Sequence, residues 1–113
     1  MTHRCSTEAA RIRELNDQLR CKAIGGRIVM TPGIEALGAG GVRQVLTAVA
    51  TFNDFTEDND PWAEHDSAVL NVEGRRIIFK IDYYDRALRW HSPDASDPVV
   101  TERLLTIMLA DEY

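Results

Sequence analysis

Residues 67–83 constrain the fold more than any other part of the chain. Ala68, Leu70 and Val72 alternate with Ser67, Val69 and Asn71; after Glu73-Gly74 the apolar residues return at Ile77, Phe79, Ile81 and Tyr83. Period-two alternation on both sides of a two-residue turn specifies a β-hairpin. Counting outward from the turn sets Val72 opposite Arg75, Leu70 opposite Ile77 and Ala68 opposite Phe79. The other face pairs Val69 with Ile78, Ser67 with Lys80 and His65 with Asp82. A slip of one residue would scramble the apolar pairs, so the pattern itself supports the register.

The flanking segments read as helices and short strands. Residues 7–22 form a first helix, with Ser6 or Thr7 as N-cap, Glu8 in the first turn and Ile12, Leu15 and Leu19 at helical spacing. Arg11, Arg13, Glu14, Asp17 and Arg20 then fall mostly on its wet side. Gly25-Gly26 ends that helix, and residues 27–31 read as a strand. Thr31-Pro32 opens a brief helix, interrupted by Gly38, Gly40 and Gly41, and a further helix over about 41–52 lines up Val42, Val45, Leu46, Val49 and Phe52. Residues 88–91 are expected to add a strand that packs Trp90 into the core. Asp97-Pro98 reads as the start of a last helix, with Val100, Leu104, Ile107 and Met108 as its apolar stripe. The sum is an α+β fold: a small antiparallel sheet of three to four strands around a central hairpin, 66–84, packed against N-terminal, middle and C-terminal helices.

A chain of 113 residues fits one domain, as compact domains cluster near about 100–150 residues. The net charge of −5 is unevenly placed: residues 1–50 hold seven basic and four acidic residues, residues 51–113 six basic and fourteen acidic. That balance argues against direct nucleic-acid binding, which needs a basic stripe. No apolar run approaches the roughly 18–20 residues of a membrane span, and the start of the chain lacks the apolar stretch of a signal peptide. A cytoplasmic protein is expected, in which Cys5 and Cys21 are reduced thiols. A metal reading of His3, Cys5 and Cys21 matches no zinc spacing.

Several segments together resemble a family of small bacterial proteins of unknown function: Ile12-Arg-Glu-Leu-Asn-Asp-Gln-Leu-Arg20, Gly25-Gly-Arg-Ile-Val29, Phe55-Thr-Glu-Asp-Asn-Asp-Pro61 with Glu64-His-Asp66, Lys80-Ile-Asp-Tyr-Tyr-Asp85, and the closing stretch from Asp97-Pro98 to Glu112-Tyr113. The resemblance covers nearly the whole chain. It implies a single domain and an accessory gene product of the kind carried on plasmids and other mobile elements. It brings no activity with it.

Residues 53–66 carry six carboxylates, one histidine, two aromatics and no lysine or arginine. A loop that acidic repels itself, so solvent, a metal ion or a basic partner must offset the cost. The leading expectation is a non-enzymatic interaction module that meets a protein with a basic surface through Asp54, Phe55, Glu57, Asp58, Asp60, Trp62 and Glu64. Its concrete form is an inhibitor or accessory factor of nucleic-acid-handling defence machinery. No cofactor is expected. The alternative is a metal-dependent hydrolase or ligand-binding enzyme with Asp58, Asp60 and Asp66 as ligands and His65 as a base oriented by Asp82. Asp58-Asn59-Asp60 matches the opening of an EF-hand loop, but Pro61 and Trp62 follow where the turn glycine belongs. Gly38-Ala-Gly-Gly41 precedes a helix without the lysine of a phosphate-binding loop. A monomer is one expectation for assembly, a homodimer through the sheet edge the other.

Overall fold

The computed structural model describes residues 7–113. Ser6, His3 and Cys5 lie outside the described residues, and with them that N-cap candidate and two of the three residues of the zinc reading. The elements run in the order α1 (Thr7–Lys22), β1 (Arg27–Met30), α2 (Pro32–Glu35), α3 (Gly38–Thr51), β2 (Ser67–Val72), β3 (Arg75–Tyr84) and β4 (Glu102–Leu109). The strands make one mixed sheet in the order β1-β4-β3-β2. Only β1 and β4 are parallel; the other neighbours are antiparallel. The architecture is α+β.

The hairpin has the register that its alternation specifies, from Val72↔Arg75 to Ser67↔Lys80. Glu73 and Gly74 both take positive φ, 52° and 80°. These are the signs of a type I′ turn, whose twist matches that of the strands it joins. Alternation then sorts the sheet into two faces. Ile28 and Met30, Leu105 and Ile107, Ile77, Phe79 and Ile81, and Ala68 and Leu70 share the side that meets the helices, where Leu19, Ile34, Val45 and Val49 complete the core. The opposite side stays open, with Val29 and Val69 exposed.

Residues 102–109 are a strand rather than the expected C-terminal helix. Their apolar residues, Leu104, Leu105, Ile107, Met108 and Leu109, happen to fit helical spacing. The segment lies between β1 and β3, and Ile107 and Met108, which point to opposite faces, are both buried. An inner strand that carries apolar residues on both faces lacks polar alternation, so periodicity alone does not separate it from a buried helix. Asp97 does act as an N-cap, but only of a 3-10 turn, Pro98–Val100: its side chain accepts from the Val99 N–H at 2.9 Å.

The expected strand at 88–91 reduces to a single bridge, Tyr84↔His91, closing a turn held by the Asp85 side chain. Trp90 is 73% exposed there, not in the core. The brief α2 is as expected, though the Thr31 hydroxyl donates to Glu112 instead of capping it. The Glu112 carboxylate also accepts from Gly33 N and Leu109 N, fastening the C-terminal turn onto α2. These donors hold the Glu112 carboxyl below its usual range, the Thr31 hydroxyl foremost. Among the described residues no helix is long and apolar enough to cross a membrane.

Candidate functional site

The acidic segment is built in two halves, and its inward half begins at Asp60. A local pair of side-chain turns sets it up: Thr56 N donates to Asn59 Oδ1 at 2.7 Å, and Asn59 Nδ2 donates to the Asp54 carbonyl at 2.8 Å. The chain then dives, leaving Asp60 only 3% exposed. Asp60 Oδ1 accepts from the backbone N–H groups of Glu64 and His65, each at 3.2 Å. Ala63 and His65 sit at positive φ, 58° and 56°, in a tight bend closed around that carboxylate. Asp60 is therefore the keystone of the loop, where the sequence suggested a ligand or a docking residue.

His65 does not pair with Asp82. The ladder ends at Ser67↔Lys80, the positive φ of His65 turns the chain out of the strand, and Asp82 lies 3.2 Å from Lys80 instead. The imidazole stacks on Phe55, with centroids 3.9 Å apart and planes 7° from parallel. Its Nδ1 meets Asp17 Oδ1 at 2.9 Å and its Nε2 lies 3.7 Å from Asp60 Oδ2. Both ring nitrogens face carboxylates, so the ring is braced on each side.

Asp17 links this ring to Arg20, whose Nη2 donates to the same carboxylate at 3.1 Å. Arg20 is buried, contrary to its expected place on the wet side of α1. Its Nη1 donates to the carbonyls of Val49 and Phe52, at 2.7 and 2.9 Å, where α3 ends. A cation there satisfies carbonyls that have no partner in the helix and opposes the negative end of its dipole. The guanidinium lies 5.2 Å from the Phe55 centroid and 5.6 Å from that of Phe79, within cation–π range.

A second polar cluster joins α1 to the end of the sheet. Asn16 is fully buried; its Nδ2 donates to the Glu64 carbonyl at 3.0 Å and to the Tyr83 hydroxyl at 2.8 Å. Tyr83 donates onward to Glu64 Oε1 at 3.0 Å, and Arg103 Nε donates to Asn16 Oδ1 at 2.6 Å. The Arg103 guanidinium lies over the Tyr83 ring, 5.0 Å from its centroid. Burial pushes the Tyr83 hydroxyl and the Glu64 carboxyl above their usual ranges and lowers Arg103. Asp66 is raised as well, first by burial and then by Asp60 and Asp82.

The outward half consists of Asp54, Glu57 and Asp58, all exposed, and Trp62, which is 69% exposed. Phe55 and Glu64, expected beside them, belong to the inward half. Asp58, Asp60 and Asp66 are not brought together: among the described residues no three His, Cys, Asp or Glu side chains are grouped to hold a metal ion. Cys21 is an exposed free thiol.

Sequence reasoning missed Asn16, Arg20 and Arg103. Their signal was present: Ile12, Leu15, Asn16, Leu19 and Arg20 stand at i, i+3, i+4, i+7 and i+8, the apolar stripe of α1 with two polar members. Arg103 occupies the core-facing phase of β4 shared with Leu105 and Ile107. Polar residues in such positions must find buried partners. No curated protein and no solved structure matches the chain. Residues 30–112 match DUF3768, a family described as proteins of unknown function, and the chain belongs to that family.

Proposed function

We propose that this protein is a non-enzymatic interaction module that docks onto a basic surface of another protein through the outward half of residues 53–66. One observation carries the reading: an exposed indole, Trp62, shares a short loop with the exposed carboxylates Asp54, Glu57 and Asp58, while Asp60, Glu64 and His65 fasten that loop to the body. Carboxylates of one sign steer a basic partner and select against acidic ones. A large aromatic in the same patch supplies the anchor on which affinity depends. Fixing the loop in advance lowers the ordering cost of binding.

The concrete form of this reading is an inhibitor or accessory factor of nucleic-acid-handling machinery, its carboxylates occupying an Arg/Lys-lined groove in place of phosphates. The enzyme alternative draws less support from the geometry. Its base, His65, is held between Asp17 and Asp60, and its orienting residue, Asp82, pairs with Lys80.

The test is capture from host extract on the immobilised protein, with partners identified by mass spectrometry. Asp54→Asn/Glu57→Gln/Asp58→Asn and Trp62→Ala are each expected to lose the same basic partner, and binding should weaken as salt is raised. Capture unchanged in both variants would end this reading.

A further inference from the structure

We infer that β2 is the interface of a homodimer, two copies pairing antiparallel along this edge to continue the sheet across a two-fold axis. The edge is unprotected. Ser67–Val72 has six residues, none of them charged and none proline. Soluble proteins guard such edges with charge, proline, bulges or a covering element. The opposite edge is guarded in this way: β1 is four residues long, opens on Arg27 and runs into Thr31-Pro32.

Register decides how two copies would meet. Ile81 N donates to the Asp66 carbonyl, so Asp66 and Ile81 form a hydrogen-bonded pair, and so by alternation do Ala68–Phe79, Leu70–Ile77 and Val72–Arg75. The N–H and C=O groups of Ser67, Val69 and Asn71 therefore point away from β3, along the free edge. An isologous antiparallel pairing that uses all three has one solution: Val69 opposite Val69 on the axis and Ser67 opposite Asn71 at each side. Val69 is 49% exposed on the open face, and this pairing sets the two valines against each other.

Charge favours the same arrangement. The Ser67 end of β2 leaves the acidic segment, whose Asn59 and Asp66 border Ser67 and Val69, with Lys80 as the nearby cation. The other end turns into exposed Arg75 and Arg76, and Arg43 of α3 lines a groove with Val72 and Glu73. These three arginines outnumber Glu73 and Asp111, which border the same end. Antiparallel pairing lays the acidic end of one copy beside the basic end of the other, twice, whereas a parallel arrangement sets like against like. A second copy of this chain thus matches the edge in hydrogen bonds, side chains and charge.

Sedimentation of the full chain from about 1 µM to about 300 µM spans the range of such an association. A concentration-dependent dimer is expected, weakened by salt and by Arg75→Glu/Arg76→Glu. Val69→Pro removes an outward N–H that β3 does not use, and Val69→Lys sets like charges across the axis; each should raise the dimer Kd about tenfold or more. Should Val69→Pro disturb folding, Val69→Lys at this exposed site carries the test alone. Hydrogen exchange at Ser67, Val69 and Asn71 should slow as concentration rises. A chain monomeric throughout overturns the inference and leaves the edge to a strand from another protein; a dimer that Val69→Lys does not weaken overturns it as well.

Discussion

Asn16 shows how one buried amide can organise a domain. It accepts from Arg103 and donates to Tyr83 and to the Glu64 carbonyl, so α1, β3, β4 and the acidic segment meet at a single side chain. Asn16→Leu leaves an arginine, a hydroxyl and a carbonyl each short of a partner around a fully buried position. We expect a loss of about 3 kcal/mol by denaturant unfolding; a loss below about 1 kcal/mol would show that the cluster rearranges freely. Asp66 makes the opposite case. Its folded-state pKa is raised, so the native state binds its proton more tightly than the unfolded chain does. Stability from this group is lost as pH rises from the unfolded value through the folded one. Asp66→Asn should therefore raise the melting temperature at pH 7, with the gain fading as pH falls toward about 4, the unfolded carboxylate range. A variant less stable than the parent at pH 7 would contradict the assigned burial penalty.

At the scale of elements, local chemistry and burial made separate decisions. Glu73-Gly74 and the alternation around it were enough to fix β2 and β3, residue by residue, because turn twist and face assignment agree. The helical stripe of Val100, Leu104, Ile107 and Met108 misled for a definite reason: β4 is an inner strand with apolar residues on both faces, Leu104 and Met108 on one and Leu105 and Ile107 on the other. The parallel pairing of β1 with β4 depends on a close approach at Gly26. A Cβ there would stand 2.5 Å from the Arg103 carbonyl and 2.8 Å from a Leu19 methyl. Backbone cannot yield as a flexible side chain does, so Gly26→Ala should cost about 2 kcal/mol, read as a lower denaturant midpoint. Amide protection should fall first in β1, and an unchanged midpoint would refute the crowding.

For the whole molecule, the division of the acidic segment matters most. Six carboxylates in fourteen residues looked like one surface, yet the fold uses Asp60 and Glu64 as internal ties and leaves Asp54, Glu57 and Asp58 outside. Legible along the chain were the hairpin register from Ser67 to Lys80, α1 with Ile12, Leu15 and Leu19 on its inner side, the turn at Gly74 and the sign of the loop's charge. All of these rest on neighbours within a few residues or on a period that local geometry imposes. Packing in three dimensions settled the rest: residues 102–109 are a strand, His65 turns to Asp17 rather than Asp82, and Arg20 and Arg103 find their buried partners. Those outcomes depend on contacts tens of residues apart, such as Arg103 with Asn16 and His65 with Asp17. A buried polar group takes whichever partner the packed core brings within hydrogen-bond reach, and that partner is set by three-dimensional proximity rather than by spacing along the chain.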